Sequence, residues 1–182
     1  VNDTPTWAPP AVIALMDTVA DDSFSDSTGT MVGADRDSGT TLSYGISGGT
    51  DSTLTVSKTG TYGTLTVTKA SGTYTFVANA TAINGLSAST SETFTASVND
   101  NASTPLQATA GLVVNITAVN DTPVLSAVTQ GTILEQNQSA NTTDTALQGT
   151  LSGTDADDTT RTYGIQGETA AGGLVSKAGS YG

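Results

Sequence analysis

Apolar and polar residues alternate with period two along most of this chain. Residues 62–69 set Leu65 and Val67 against Thr64, Thr66 and Thr68. Residues 41–47 set Leu42, Tyr44 and Ile46 against Thr41, Ser43 and Gly45. Successive strand side chains point to opposite faces, so this pattern predicts strands with one buried face. It predicts further strands at 11–16, 29–33, 53–57 (Leu54 and Val56 inward), 73–78 (Tyr74 and Phe76), 92–98 (Phe94, Ala96 and Val98) and 108–118 (Leu112, Val114 and Ile116). Glycine near position 72 joins 62–69 to 73–78 as a hairpin. Segments 17–28 and 81–91 read as loops, the second with Ile83 and Leu86 folded inward around a short helical turn. Trp7 reads as the cover of a hydrophobic edge, with a seal between modules as the alternative.

The pattern then starts again. Val1-Asn2-Asp3-Thr4-Pro5 returns as Val119-Asn120-Asp121-Thr122-Pro123, and Tyr44-Gly45-Ile46 as Tyr163-Gly164-Ile165. The segment 56–63 returns at 175–182 with Thr59 and Thr61 replaced by Ala178 and Ser180. Self-similarity at a fixed period marks a tandem repeat. The pentapeptide reads as a joint, polar and then closed by a proline that stops a strand from running on. Residues 1–118 form a complete repeat and 119–182 the N-terminal half of the next. Strands are expected in that half at 124–134, 146–153, 160–166 and 172–177, with a loop at 136–145. A second frame is open: 64–182 forms one interleaved domain, in which strands from 65–114 share a sheet with strands from 147–175.

About seven or eight short strands per repeat, with no βα alternation, predict an all-β Greek-key sandwich. Thr, Ser, Gly and Val dominate and favour helix poorly.

Charge narrows the function. Seventeen acidic residues face five basic ones, for a net charge of −12. That balance argues against a nucleic-acid backbone as partner. No apolar run is long enough to insert into a membrane. Histidine and cysteine are both absent, which excludes a Ser–His–Asp triad, imidazole ligation, disulfides and thiolate-bound zinc. No nucleophile elbow, phosphate loop or zincin motif occurs, so the chain does not read as an enzyme.

The remaining chemistry lies in clustered acids. Asp35-Arg36-Asp37 aligns with Asp155-Ala156-Asp157, each following a predicted strand. Two carboxylates at i and i+2 can converge on one cation, and Ca²⁺ takes six to eight oxygens. Further oxygens sit at strand ends: Asp100 with Asn99, Asp121 with Asn120, and Glu135 or its counterpart Asp17. The competing reading is that such pairs are solvated turns in which Asp and Asn cap their own backbone.

The ordered set of segments 153–157, 63–67, 72–76, 92–100 and the joint 119–123 resembles the cadherin-like VCBS repeats of bacterial RTX-type adhesins. The resemblance covers nearly the whole chain. It implies immunoglobulin/cadherin-like tandem modules, secreted to the surface of a Gram-negative bacterium and stiffened by Ca²⁺. Such modules act in cell adhesion and biofilm formation as extenders that project a distal binding region. Carried over, the calcium ligands are Asp35, Asp37, Asp100, Asn120, Asp121, Glu135, Asp155 and Asp157. Arg36 and Asp17 depart from the second copy, which has Ala156 and Glu135. The implied partners are neighbouring repeats of the same polypeptide, with self-association left open. The rival reading is a carbohydrate-binding module using Trp7 or Tyr62 on an exposed concave patch.

Overall fold

The computed structural model describes residues 1–132 and 149–180. They fall into two units, Val1–Asp121 and Thr122–Gly182. In the first, the strands are β1 (Thr6–Ala8), β2 (Ile13–Met16), β3 (Ser27–Thr30), β4 (Val32–Ala34), β5 (Ser43–Ile46), β6 (Thr50–Asp51) and β7 (Thr55–Thr59). After them come β8 (Gly63–Thr68), β9 (Thr73–Ala78), the helical turn α1 (Ala80–Asn84), β10 (Thr90–Asn99) and β11 (Gln107–Thr117).

Two sheets face each other. One has the order β3-β9-β8-β7-β6 and the other β2-β11-β10-β5. All neighbours are antiparallel except β2, which joins β11 in parallel with Ile13 opposite Val114. Strands β3-β9-β8 stand where immunoglobulin domains have B, E and D, and β5-β10-β11 where they have C, F and G. The first unit is therefore an all-β Greek-key sandwich of the immunoglobulin/cadherin-like kind. Alternation supplies its core: Leu65, Val67, Phe76, Phe94, Leu112 and Val114 are all but completely buried. The rings of Phe76 on β9 and Phe94 on β10 meet edge-on across the two sheets, with centroids 5.9 Å apart. Such a pair adds about 0.5–1.5 kcal/mol beyond its buried area. The predicted 62–69/73–78 hairpin forms, and Gly72 at its tip takes a φ of 70°, a conformation costly for other residues. Ile83 on the predicted helical turn is fully buried.

Two expectations are corrected. The single strand predicted at 29–33 is two strands, β3 pairing with β9 and β4 with β1. Met31 between them is buried, and its N–H leaves both ladders to reach the carbonyl of Gly72, 2.8 Å away. The chain changes partners there, at a corner where a strand passes from one layer to another. Leu54, predicted inward beside Val56, is 72% exposed. The Ser52 N–H donates to the Thr55 carbonyl at 2.9 Å, and this tight turn takes Leu54 out of the strand alternation.

The second unit has β12 (Val124–Leu125) antiparallel to β13 (Gly153–Thr154). Val124 stands 118 places after Thr6, and Thr154 stands 120 places after Ala34. The pairs Val124–Thr154 and Leu125–Gly153 thus repeat Thr6–Ala34 and Trp7–Gly33 of β1 and β4. The strands predicted at 160–166 and 172–177 are absent. Residues 160–166 form no strand, and near 172–177 only an Ala171–Leu174 bridge forms, around two positive-φ glycines. Strands need partners for their backbone groups. The first copy of Tyr163–Ile165 is β5, which pairs with β10, and residues 119–182 contain no copy of β10. Residues 133–134 of the strand region 124–134, Glu135, the loop 136–145 and positions 146–148 lie outside the described residues.

Candidate metal centre

The first joint is tied into the acids at one end of the sandwich. The short β1–β4 ribbon carries the chain into Asp35 and Asp37, and β10 delivers Asp100. Gly33 on β4 sits in a tight place: a Cβ there would lie 3.0 Å from the Val98 side chain and 3.1 Å from that of Leu42, so a larger residue needs those side chains to shift. Beyond the ribbon, the Asp37 N–H donates to Asp35 Oδ1 at 2.8 Å, while Asp37 Oδ2 accepts the Asp3 N–H at 2.7 Å. Asn2 Nδ2 donates to Asp100 Oδ2 at 2.6 Å. Asp100 Oδ1 accepts the N–H groups of Ala102 and Leu106, at 3.1 and 3.0 Å. Burial works to raise the Asp100 pKa. The bonds from Ala102, Leu106 and Asn2 outweigh it and hold the carboxyl below its ordinary 3.8.

The second joint meets a different acid. Asp17 follows β2, and its N–H donates to the Thr117 carbonyl at the end of β11. Its Oδ2 accepts the Val119 N–H at 3.2 Å, in the first residue of the joint. Asp17 is 1% exposed, yet its Oδ1 is buried without a hydrogen-bond partner. Asp121 is also buried, and the Asn120 side chain donates to its carbonyl at 2.9 Å. The eleven residues of β11 separate this end from Asp100, a span of about 33–37 Å. Asp35, Asp37 and Asp100 therefore gather at one end with Asn2 and Asp3, and Asp121 and Asn120 at the other with Asp17.

In the second unit one carboxylate oxygen each from Asp155, Asp157 and Asp158 lies within 4.8 Å of the others. The Asp158 N–H donates to Asp155 Oδ1 at 3.0 Å. A side-chain hydrogen bond with Asp157 is the main cause that lowers the Asp155 pKa; the nearby N–H groups and Arg161 add to it against the effect of burial. Two carboxyls share such a bond only through a proton, and at neutral pH a cation can take that place. Glu135 lies outside the described residues.

Oxygen donors alone suit a hard cation such as Ca²⁺. Asp17 Oδ1 and Asp35 Oδ2 are buried acceptors with no hydrogen-bond partner. The ion pairs among the described residues are Lys69–Asp51 and Lys177–Glu168, so neither acceptor faces a protein cation. A buried carboxylate without a counter-charge is costly, and a bound cation removes the cost. Asn84 adds a third such oxygen, and its Nδ2 donates to the carbonyl of Asp22, whose carboxylate accepts the Thr18 N–H next to Asp17. Sequence reasoning reached Asp17 only as the counterpart of Glu135 and missed Asn84. An Asn-Gly pair reads as a turn, and nothing local marks Asn84 as buried.

These groups are fixed carboxylates and amides in a chain without histidine or cysteine. Trp7 and Tyr62, on which a sugar platform would rest, are partly buried against the core. Neither protein-family models nor curated proteins match the sequence. Among solved structures, mouse cadherin-23 EC22-24 aligns at 16% identity over 87% of this chain and 45% of that one, with a TM-score of 0.40. Human CDH23 EC21-23 aligns at 18% identity over 87% of this chain and 48% of that one, with a TM-score of 0.38. The chain spans about half the length of either. These are distant similarities, and the fold assignment stands on strand order and register.

Proposed function

We propose that this chain is a calcium-stabilised extender of a large secreted adhesin on a Gram-negative bacterial surface, projecting a distal binding region from the cell. The observation that carries the calcium reading is Asp17: a buried carboxylate with one oxygen on the joint and the other without a hydrogen-bond partner. Residues 1–118 are one repeat and 119–182 open the next. The pairing of strands within 64–118 to strands of 1–63 supports that frame. Calcium at the Asp17–Asp121 end holds the joint that leads to the next repeat. Asp35, Asp37 and Asp100 do the same for the joint that enters. Asp155 and Asp157 repeat the first acidic pair in the second copy, Asn120 adds a side-chain oxygen beside Asp121, and Glu135 is the sequence counterpart of Asp17 in the next repeat.

Calcium that binds only the folded state stabilises it by about 2.7 kcal/mol at a hundredfold excess over Kd. For a unit of this size that raises Tm by roughly 10 °C or more. The test is calorimetric melting in millimolar Ca²⁺ and in EGTA, for the natural chain and for Asp17→Asn. The natural chain gains the shift and the variant loses most of it. Scattering on a chain of several repeats gives a longer particle with calcium than with chelator. A Tm that ignores both calcium and the substitution ends the proposal.

A further inference from the structure

Nine asparagines occur in the chain, and seven of them have Ser or Thr two places on with no proline between. Serine and threonine fill 55 of the 182 positions, so chance places one there for about three of nine. Asn-x-Ser/Thr is the acceptor pattern for N-linked sugar. The patterns at Asn137 and Asn141 lie outside the described residues. Of the rest, Asn2 donates to Asp100 Oδ2, Asn101 to the Thr41 carbonyl and Asn120 to the Asp121 carbonyl. Asn79 donates to the Thr61 carbonyl and caps α1 by accepting the Ala82 N–H. The fold thus accounts for each of these four amides. Asn115 differs. It is exposed within β11, between the buried Val114 and Ile116, and its side chain makes no hydrogen bond among the described residues. Asparagine is depleted in strands, and here it neither caps, turns nor bridges.

Thr117 stands two places further along β11, so its side chain leaves the same outer face as Asn115, and both residues are exposed. Beside Asn115 stand Ala14 on β2 and Ser91 on β10, both exposed and too short to cover the amide. We propose that Asn115 is an N-glycosylation site, with Thr117 as the hydroxyl residue that the transferase reads. The amide nitrogen attacks the anomeric carbon of a sugar carried as a diphosphate ester. A carbon–nitrogen bond forms, the anomeric carbon–oxygen bond to the diphosphate breaks, and a base of the transferase takes the amide proton. β11 is paired on both sides at this point, so the transferase works on the extended chain before the strand joins its sheet. Folding then carries the sugar to the solvent side, where it displaces no hydrogen bond. The sugar lies next to β2, the edge strand of its sheet, and bulk there hinders pairing with another chain.

The test makes the full 182-residue chain in a bacterial host without N-linked glycosylation, supplied with a transferase and a control acceptor peptide. One arm uses a cytoplasmic transferase that takes nucleoside-diphosphate sugars. The other exports the chain to a membrane transferase that takes lipid-diphosphate sugars. Mass spectrometry with fragmentation that spares the sugar bond locates the product. The expected result is sugar on Asn115 in one arm or both, which also identifies the donor class. Thr117→Ser keeps the sugar, while Thr117→Ala and Asn115→Gln lose it. Asn99, at the end of β10 and followed two places on by Asn101, stays bare. The glycosylated chain keeps the Tm of the bare one, because Asn115 gives up no bond. An Asn115 that stays bare in both arms, beside a modified control peptide, overturns the proposal. So does a sugar that persists in Thr117→Ala. A glycosylated chain that no longer folds overturns it too, since the outer face of β11 would then be covered in solution.

Discussion

Tyr44-Gly45-Ile46 and Tyr163-Gly164-Ile165 are the same tripeptide in two settings. In the first it is β5, paired with β10 through Ile46 opposite Ala96, and Ile46 is 6% exposed. In the second it forms no strand, and Ile165 is 41% exposed. The β1–β4 ribbon, by contrast, forms in both copies with the same register, and both end in an Asp-x-Asp turn closed by an N–H to the first carboxylate. The ribbon needs only two short strands from the same half-repeat. The tripeptide needs a long strand from the other half. Local sequence therefore sets the acid-bearing turn, and long-range pairing sets the strand.

The largest test of that contrast supplies the missing partner. A chain lengthened after Gly182 by a second copy of residues 64–118 offers 163–165 a strand equivalent to β10. Amide exchange at 163–165 then slows to the level of 44–46, by roughly a thousandfold for a domain of ordinary stability. If those amides exchange as fast in the longer chain, the difference between the copies is not a matter of partners.

A smaller effect separates the two units by their cores. Phe76→Ala removes a ring that packs on Phe94 and costs about 3–5 kcal/mol. Leu174→Ala, at a position 78% exposed, changes stability by less than about 0.5 kcal/mol. Denaturant titration of both variants measures this. A cost for Leu174→Ala like that of Phe76→Ala would mean that Leu174 is buried in solution.

What was legible in the sequence follows the same division. Period-two alternation located β8, β9, β10 and β11, because each buries one face against the opposite sheet. It merged β3 and β4, since Met31 is apolar and hides a change of partner that only the Gly72 hydrogen bond defines. It placed Leu54 inward because a four-residue turn held by Ser52 leaves no mark on hydrophobicity. Among the acids, spacing pointed to the Asp35–Asp37 and Asp155–Asp157 turns. It could not divide Asp100 from Asp121, because nothing in a linear list shows that β11 holds them a strand's length apart. Asp17 was visible as an acid but not as a buried one. Its burial is imposed by the parallel pairing of β2 with β11, a contact between residues about a hundred positions apart.

The smallest effect compares two acids by pH. Both Asp100 and Asp155 have pKa values below the ordinary 3.8. A carboxyl whose folded pKa is depressed adds stability above its unfolded pKa and loses it as pH falls through the folded value. Their contributions are thus intact above about pH 4 and disappear in more acid solution. The causes differ. Asp100 is held by backbone N–H groups and Asn2, fixed by the sandwich, so its shift survives substitution of neighbouring acids. Asp155 depends first on the side chain of Asp157, so Asp157→Ala returns it toward 3.8 and leaves Asp100 untouched. Carbon-detected NMR titration of the carboxyls in EGTA reads both midpoints in one sample. An Asp100 midpoint at or above 3.8 would show that burial outweighs its hydrogen bonds, and that the first acidic end is looser than the strand register implies.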